Sequence, residues 1–260
     1  MPVKHTFVIC AYKESEYLTS CVESLLAQTV KSRIIIATST PNEHISAIAR
    51  QYSLEVFVNT GKKGITGDWN FAVSNVDTEY YTIAHQDDIY EPRYTEEVLS
   101  AAEKRKGAII AFTKYYEIRN GENVYSNKLL KIKNLMNFPF LIFKRSRFVR
   151  RRILSVGSSI CCPSVMYSKE KCRDFQFDNG FLTCCDWDYF SRVANLKGSF
   201  VYVKKVLMGH RIHSDSGTTE TIESGVRAKE ELIMFKRYWP DWIAKKLASK
   251  YKNAMTSNKI

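Results

Sequence analysis

Apolar strands that alternate with amphipathic helices in the first hundred residues constrain the fold of this 260-residue chain most strongly. The runs TFVICAY (Thr6–Tyr12) and RIIIATS (Arg33–Ser39) are almost wholly apolar, and helical spacing of apolar residues follows each of them. A strand that is apolar on both faces is typical of a parallel sheet covered by helices on both sides. The sequence therefore predicts the α/β class, with a mostly parallel sheet flanked by helices.

The same alternation continues along the chain. LEVFVN and EYYTIAH predict a third and a fourth strand, and WNFAVSNV between them predicts a helix. After Pro92 we predict a helix ending near Gly107, strands at AIIAFTKYYEI and SVMYS, a helix at CCDWDYFSRVANLKG and a strand pair at SFVYVKKVLMGHRIH. Since no linker-like composition interrupts the chain, we expect one domain over residues 1–220 and a basic helical extension over 221–260.

The basic charge of the chain is concentrated in one stretch. The net charge is +12, and no acidic residue occurs between Asn123 and Lys169. Nine basic residues lie within Lys128–Arg152, and the apolar segment FPFLIF (Phe138–Phe143) lies among them. Such a stretch favours an anionic partner, and apolar residues flanked by cations are typical of a segment at an anionic membrane surface. A nucleic-acid-binding protein is an alternative, but no known nucleic-acid-binding module is recognisable.

Cysteine usage and hydropathy indicate the compartment. The seven cysteines include no C-x-x-C spacing, which indicates reduced thiols rather than a disulfide framework or a zinc site. No apolar run reaches 18 residues, and no signal peptide is recognisable. We expect a cytoplasmic protein, with a peripheral position at the inner face of the plasma membrane as a further hypothesis.

Polar clusters follow three of the predicted strands, at AYKE (Ala11–Glu14), TSTPN (Thr38–Asn42) and HQDD (His85–Asp88). The carboxyl ends of parallel strands meet at one edge of the sheet, where ligands of such folds bind. Asp87 and Asp88 would repel each other unless a cation or water lies between them. Adjacent carboxylates at a strand end are suitable ligands for Mg²⁺ or Mn²⁺. The sequence thus predicts one site built from three loops.

Several segments together resemble the family 2 glycosyltransferases of the GT-A (Rossmann-like) fold. The likeness rests on FVICAYKESEYLTSCVESLLAQT, RIIIATSTPN, GITGDWNFAVSN, EYYTIAHQDDIYEP, CDWDYFSR and HRIHSDSGT, and spans Thr6–Thr218. It implies an inverting enzyme of the bacterial surface-polysaccharide type. The donor would be a nucleotide-diphosphate sugar, most simply a UDP-sugar, the acceptor a glycan or a lipid-linked glycan, and the cofactor Mn²⁺ or Mg²⁺. Residues 1–107 would form the nucleotide-sugar half and residues 108–220 the acceptor half.

The resemblance also implies roles for residues on the donor side. One loop would hold the uracil and ribose, a second segment would close over the base, and the aspartate motif would meet the diphosphate. The residues at the matching positions are Ala11, Tyr12 and Glu14, then Asp68, Trp69 and Asn70, then Gln86 and Asp87.

For the metal and the chemistry, the resemblance implies three further residues. Asp88 would be the metal ligand, and His213 would reach the metal or the diphosphate together with the small polar residues that follow it. Asp186 would be the general base. Asp188, two residues further on, is the second candidate for the base, although its spacing from Arg192 also fits a helical ion pair.

The chain departs from the family pattern in two places. Lys13 stands where the family carries asparagine, and Thr38-Ser39-Thr40 replaces paired aspartates and a glycine. Ser39 or Asp68 would then have to contact the base. These departures keep a catalytically inactive nucleotide-sugar-binding module as an alternative. A serine hydrolase is disfavoured because the chain contains no G-x-S-x-G motif.

Overall fold

The computed structural model describes residues 2–105, 107–178, 180–213 and 225–255, without the side chains of 252–255. Nine strands form one sheet in this part of the chain. They are β1 (His5–Ala11), β2 (Arg33–Thr38), β3 (Glu55–Val58), β4 (Tyr80–His85), β5 (Ile89–Tyr90), β6 (Ala108–Arg119), β7 (Glu122–Val124), β8 (Val165–Ser168) and β9 (Ser199–Ile212). Their order is β3-β2-β1-β4-β8-β6-β9-β5, with β7 paired to β6.

Helices cover both faces of this sheet. They are α1 (Leu18–Leu26), α2 (Glu43–Gln51), α3 (Ile65–Ser74), α4 (Tyr94–Glu103), α5 (Lys128–Asn137), α6 (Phe140–Phe143), α7 (Arg147–Leu154), α8 (Lys169–Cys172), α9 (Cys185–Val193), α10 (Val226–Lys236) and α11 (Asp241–Met255). None of the helices within the described ranges is long and apolar enough to cross a membrane.

The first half of the sheet is parallel because its strands are buried on both faces. Phe7 and Ile9 of β1 pack into the core on one side, and Val8 between them packs into the core on the other side. The strands β3, β2, β1 and β4 are all paired in parallel. Their carboxyl ends therefore lie at one edge, and the three polar clusters predicted from the sequence follow β1, β2 and β4 there. The α/β class is confirmed.

The second half of the sheet mixes strand directions. β8 lies antiparallel between β4 and β6, β6 and β9 are parallel, and β5 is antiparallel to β9. The predicted strand pair over SFVYVKKVLMGHRIH is wrong, because β9 is one strand of 14 residues. Its middle residues Lys204–Val206 are exposed, and the break in alternation is absorbed by register shifts against β6 rather than by a turn.

The basic stretch between Lys128 and Arg152 folds into α5, α6 and α7 and is not uniformly exposed. Phe140 is fully buried and lies against the rings of Phe112 and Phe200. Arg150 is fully buried too, and its guanidinium donates hydrogen bonds to two carbonyl oxygens just beyond the end of α9. A cation favours the negative end of a helix, so Arg150 has a structural explanation. Both residues therefore support the core.

The start of α9 is held by a side chain from α10. The Glu230 carboxylate accepts hydrogen bonds from the backbone N–H groups of Leu182, Thr183 and Cys184, at 2.7, 2.8 and 2.9 Å. The Thr183 hydroxyl donates a further one at 2.8 Å. Burial opposes ionisation of Glu230, but these hydrogen bonds outweigh it and lower its pKa. α9 carries no side-chain cap of its own, so Glu230 orders its first turn from a distance.

We expect Glu230→Ala to lower the free energy of unfolding by roughly 2–4 kcal/mol, since it leaves three backbone donors, two part-buried and one buried, without their acceptor. The native pKa of Glu230 is lowered, so its contribution is present above the unfolded-state pKa and is lost as the pH falls through the native value. Urea unfolding from about pH 7 to about pH 3 measures both effects. The control is Glu43→Ala, which removes an exposed ion pair with Arg50 and should cost no more than about 1 kcal/mol. Equal losses in the two variants would contradict the capping role.

Candidate active site

The loop after β1 is joined to the aspartate motif by the side-chain amide of Gln86, which makes the two hydrogen bonds that a strand backbone would make. Gln86 accepts a hydrogen bond from Tyr12 N–H at 2.9 Å and donates one to the Tyr12 carbonyl at 3.0 Å. The Gln86 amide thereby extends the pairing of β1 with β4 by one step. Ala11 ends β1 and is buried, while the side chains of Tyr12 and Glu14 are exposed.

Lys13 adopts a left-handed backbone conformation, with φ of 55°. Asparagine tolerates that conformation better than most residues, which explains the family preference at this position. In this chain the Lys13 N–H donates to the Thr40 hydroxyl at 2.6 Å, and the Thr40 N–H donates to the Thr38 hydroxyl at 3.0 Å. The two departures from the family pattern therefore contact each other and form one loop junction.

A second junction centres on the Asp68 carboxylate. It accepts a hydrogen bond from the Ser39 hydroxyl at 2.9 Å and one from the Asn59 amide at 2.7 Å. Ser39 and Asp68 are the two residues that the sequence analysis named as candidates for contact with the base. The hydrogen bond shows that they lie together. The role of Asn59 was missed. It could have been found by the rule used for the other loops, because Asn59 is the first polar residue after β3.

Close packing of α3 fixes Asn59 and Asp68. The Asn59 amide also donates to the Lys62 carbonyl at 2.8 Å. A Cβ atom on Gly67 would come within 2.3 Å of that same carbonyl oxygen. The Asn70 amide, predicted to bind the nucleotide sugar, exchanges hydrogen bonds of 3.0 and 2.8 Å with the backbone of Phe177. In the structure Asn70 therefore joins α3 to the loop before α9.

Asp88 is a fully buried carboxylate at the end of β4. Its Oδ1 accepts from the Arg211 N–H at 2.9 Å and lies 3.0 Å from His210 Nδ1. Burial favours the neutral form of His210, but the charge of Asp88 outweighs it and raises the His210 pKa. On a regular strand His210 and His213 would point to opposite faces, and the sequence favoured His213 because small polar residues follow it. Both histidines contact the aspartate pair, since β9 ends at Ile212 and His213 lies beyond it.

Asp87 is held from the same side. His213 Nε2 lies 2.9 Å from Asp87 Oδ2, and Arg211 Nε donates to the Asp87 carbonyl at 2.9 Å. Burial opposes the ionisation of Asp87, yet the hydrogen bond from His213 and the charges of His85 and His210 lower its pKa. Ser214, Ser216, Gly217 and Thr218, predicted to line a diphosphate, lie outside the described residues.

The donor set fits a divalent cation. Ligand atoms of His85, Asp87 and Asp88 lie within 4.8 Å of one another. Among the described residues, the buried Asp88 Oδ2 has no hydrogen-bond partner, and neither has His85 Nε2. A buried carboxylate oxygen without a donor costs free energy unless a cation meets it. The His85 ring also stacks on Trp69, at a centroid distance of 5.4 Å.

Asp186 lies in the first turn of α9, with its side chain partly exposed. Its Oδ1 accepts from the Trp187 N–H at 2.6 Å. Burial raises the Asp186 pKa, and the charges of Arg227 and Lys133 reduce that rise. Lys133, which the sequence did not single out, donates to the Tyr115 hydroxyl at 2.9 Å. The carboxylate therefore faces cations and remains accessible.

Asp188 has a different environment, although it lies only two residues further along α9. It is fully buried, and both of its oxygens are paired with arginines. Arg192 lies 2.8 Å from Oδ2, as the helical spacing predicted, and Arg237 of the chain's C-terminal part contacts Oδ1. Enclosed in this way, the Asp188 carboxylate is less accessible to a substrate than the partly exposed Asp186.

Comparison with known proteins identifies the family. The profile described as Glycosyl transferase family 2 matches residues 6–174, well over half of the chain, and the chain belongs to that family. An uncharacterized glycosyltransferase of Rickettsia typhi is 24% identical over 242 residues, covering 92% of this chain and 71% of the relative. The glycosyltransferase GlyA of Streptococcus pneumoniae is 23% identical over 224 residues, covering 82% of this chain and 31% of the relative.

Solved structures share the fold. TarS of S. aureus (residues 1–349) in complex with UDP-GlcNAc has a TM-score of 0.67 at 13% identity, covering 98% of this chain and 73% of that one. The mannosyltransferase PcManGT of Pyrobaculum calidifontis in complex with GDP-Man and Mn²⁺ has a TM-score of 0.64 at 12% identity, covering 99% and 76%. The predicted GT-A fold, family and enzyme class are confirmed, and the chain is a glycosyltransferase.

We expect Gly67→Ala to weaken nucleotide binding at least tenfold, because the added methyl group displaces the Lys62 carbonyl and with it the Asn59 amide and Asp68. Isothermal titration with UDP measures the loss. Gly61→Ala is the matched control, since a Cβ there meets only the Asn59 side chain, at an ordinary contact distance of 3.5 Å. Unchanged affinity in Gly67→Ala would show that this junction does not contact the nucleotide.

Proposed function

We propose that this glycosyltransferase moves a sugar from a UDP-sugar to an acceptor hydroxyl with inversion, using a divalent cation and Asp186 as the base. The observation that carries the proposal is Asp88 Oδ2, which is buried beside His85 and Asp87 and has no hydrogen-bond partner among the described residues. It lies at the sheet edge that also holds the Ser39–Asp68–Asn59 junction. One edge thus offers ligands for a metal and polar groups for a nucleotide.

The base-recognition part of the proposal rests on Asp68. A carboxylate accepts a hydrogen bond from an N–H donor, and uracil presents one such group on its pairing edge. Ser39 and Asn59 hold the Asp68 oxygens in place. Binding of a ligand would therefore cost less side-chain conformational entropy at Asp68. Guanine also presents N–H donors, and GDP is therefore the competing ligand to test.

The proposed cation would be Mn²⁺ or Mg²⁺, held by Asp88 together with Asp87 and His85. These are oxygen and imidazole donors, which suit both ions, Mn²⁺ accepting the nitrogen more readily. A bound cation would neutralise the charge that develops on the departing diphosphate. The role of His213 is proposed to be the orientation of Asp87, with which its Nε2 pairs at 2.9 Å.

Asp186 would take the proton of the attacking acceptor hydroxyl. In a single displacement the acceptor oxygen forms its bond to the anomeric carbon as the bond from that carbon to the diphosphate breaks. The configuration inverts, the proton ends on Asp186, and the electron pair leaves with the nucleotide diphosphate. A raised pKa makes the Asp186 carboxylate a stronger base. The positive charges of Arg227 and Lys133 oppose that rise and favour the ionised form.

The two halves of the chain would divide the work. We propose that residues 1–107 bind the donor, that 108–220 hold the acceptor and the base, and that the extension over 221–260 supports the base helix. Support for the last point comes from Glu230 at the start of α9 and Arg237 at Asp188. The acceptor is proposed to be a glycan, in free or lipid-linked form, in the synthesis of a surface polysaccharide.

We expect Asp88→Ala to abolish the stabilisation by UDP and Mn²⁺ together that the parent protein should show in thermal unfolding. Removing a buried, ion-paired carboxylate also alters the apo protein, so its melting temperature without ligand is recorded for each variant. The control is Glu91→Ala, three residues further on and outside the proposed ligand set. A parallel titration with GDP tests the base. Full retention of Mn²⁺-dependent UDP binding in Asp88→Ala would contradict the metal site, and preference for GDP would contradict uridine.

Asp186→Asn is expected to lower kcat by a factor of about 10² to 10⁴ with little change in UDP-sugar affinity. Asp188→Asn is the matched comparison and should mainly lower stability, since two arginines lose their counter-charge. In the parent, kcat should fall as the pH drops through the raised Asp186 pKa. Lys133→Gln removes a charge that lowers this pKa, so the acid limb should move to higher pH. An unmoved limb, or an active Asp186→Asn, would exclude Asp186 as the base.

A further inference from the structure

Large apolar side chains are exposed on the helices between Lys128 and Leu154. Five such residues occur within 14 positions, a set that we call the apolar patch. Their exposed fractions are 75% for Leu135, 49% for Phe138, 62% for Ile142, 53% for Phe143 and 70% for Phe148. Single exposed apolar residues are common on soluble proteins, whereas a group of them indicates an interaction surface.

The patch belongs to an ordered helical surface. The backbone remains right-handed helical from α5 through Phe138 and Pro139 to Lys144, and the Phe143 N–H donates to the Pro139 carbonyl at 2.8 Å. Leu135, Phe138 and Ile142 follow one another at spacings of three and four residues, which places them on one side of a helix.

The other side of the same helices is anchored in the core. Leu130 and Phe140 are 2% and 0% exposed. Core packing thus fixes which side faces outward, and the apolar patch is the outward side.

Exposed cations flank the patch along the chain. Six basic residues of this stretch are exposed, namely Lys128, Lys131, Arg145, Arg147, Arg151 and Arg152. Within the part of the chain that the structure describes, none of them forms an ion pair with an acidic side chain, whereas basic residues elsewhere often do, as Arg33, Arg93 and Lys205 show. Their charge is available to an anionic partner.

We propose that this surface binds an anionic lipid membrane, with the apolar patch in the interfacial region and the cations at the lipid phosphates. Apolar side chains flanked by cations match the two layers of such an interface. A second copy of the chain fits less well, because a symmetric contact through the patch would bring like charges together. Because of the exposed cations, a neutral apolar partner is also a poorer match than an anionic membrane.

The position of α5 relates this membrane surface to the candidate active site. Lys133 of α5 bonds the Tyr115 hydroxyl at 2.9 Å and its charge acts on Asp186. Leu135, two residues further on, is exposed. Residues two apart on a helix point in nearly opposite directions, so α5 would lie between a membrane at the patch and Asp186. Any consequence for a lipid-linked acceptor rests on the proposed function, whereas membrane binding itself requires no substrate.

Co-sedimentation with vesicles tests the proposal. The full chain should bind vesicles of phosphatidylglycerol and phosphatidylcholine, should bind pure phosphatidylcholine weakly, and should dissociate as salt rises from about 0.05 to about 0.5 M. The double variants Leu135→Ser/Ile142→Ser and Arg145→Gln/Arg147→Gln should each reduce partitioning by a factor on the order of ten or more.

Matched controls separate the surface from general changes in charge or hydropathy. Leu26→Ser removes an apolar residue that is 38% exposed on α1, and Lys104→Gln/Arg105→Gln removes two exposed charges after α4. Both should bind vesicles as the parent does, and UDP titration checks that every variant is folded whether or not it binds lipid.

Four results would overturn the proposal. The first is equal binding to neutral and anionic vesicles, and the second is parental binding by both patch variants. The third is absence of vesicle binding combined with a dimer that Leu135→Ser/Ile142→Ser dissociates in sedimentation velocity, which would assign the patch to a second copy. Tighter binding of a single-stranded oligonucleotide than of anionic vesicles would likewise assign the cations to nucleic acid.

Discussion

The arrangement of the active site depends on one buried charge. Removing an ionised carboxylate from water costs several kcal/mol unless partners compensate. Asp88 receives two such partners on Oδ1, from His210 and from the Arg211 backbone, both at the end of β9. The pairing of β5 with β9, immediately after Asp88 in the chain, brings these partners within reach. The contact therefore joins the end of β9 to the segment between β4 and β5.

The donor half could be predicted well from the sequence because its signals are local. Strands apolar on both faces have few alternatives to a helix-covered parallel sheet, and the rule for carboxyl ends then places three loops at one edge. The same rule would have added Asn59. It could not show that Lys13 and Thr40 contact each other, since that pairing depends on the left-handed backbone at Lys13.

The acceptor half was predicted less completely because its contacts are made over long distances in the chain. A run of nine basic residues looks uniform in sequence, yet Arg150 is buried against carbonyl groups near the end of α9 while Arg147 is exposed. Similarly, alternation on a strand assigned His210 and His213 to opposite faces, but β9 stops one residue before His213. Where a strand ends is decided by its neighbours, and here that decision brought a second histidine to the site.

The contact of Glu230 with α9 has a consequence for how the enzyme is made. Residues 182–184, which it orders, emerge from the ribosome well before residue 230, and the family profile ends earlier still, at residue 174. A nascent chain can form the parallel donor half early, but the helix that carries Asp186 lacks its cap until α10 has been synthesised. The parallel strands can therefore pair first, and the helical turn that carries Asp186 is ordered last.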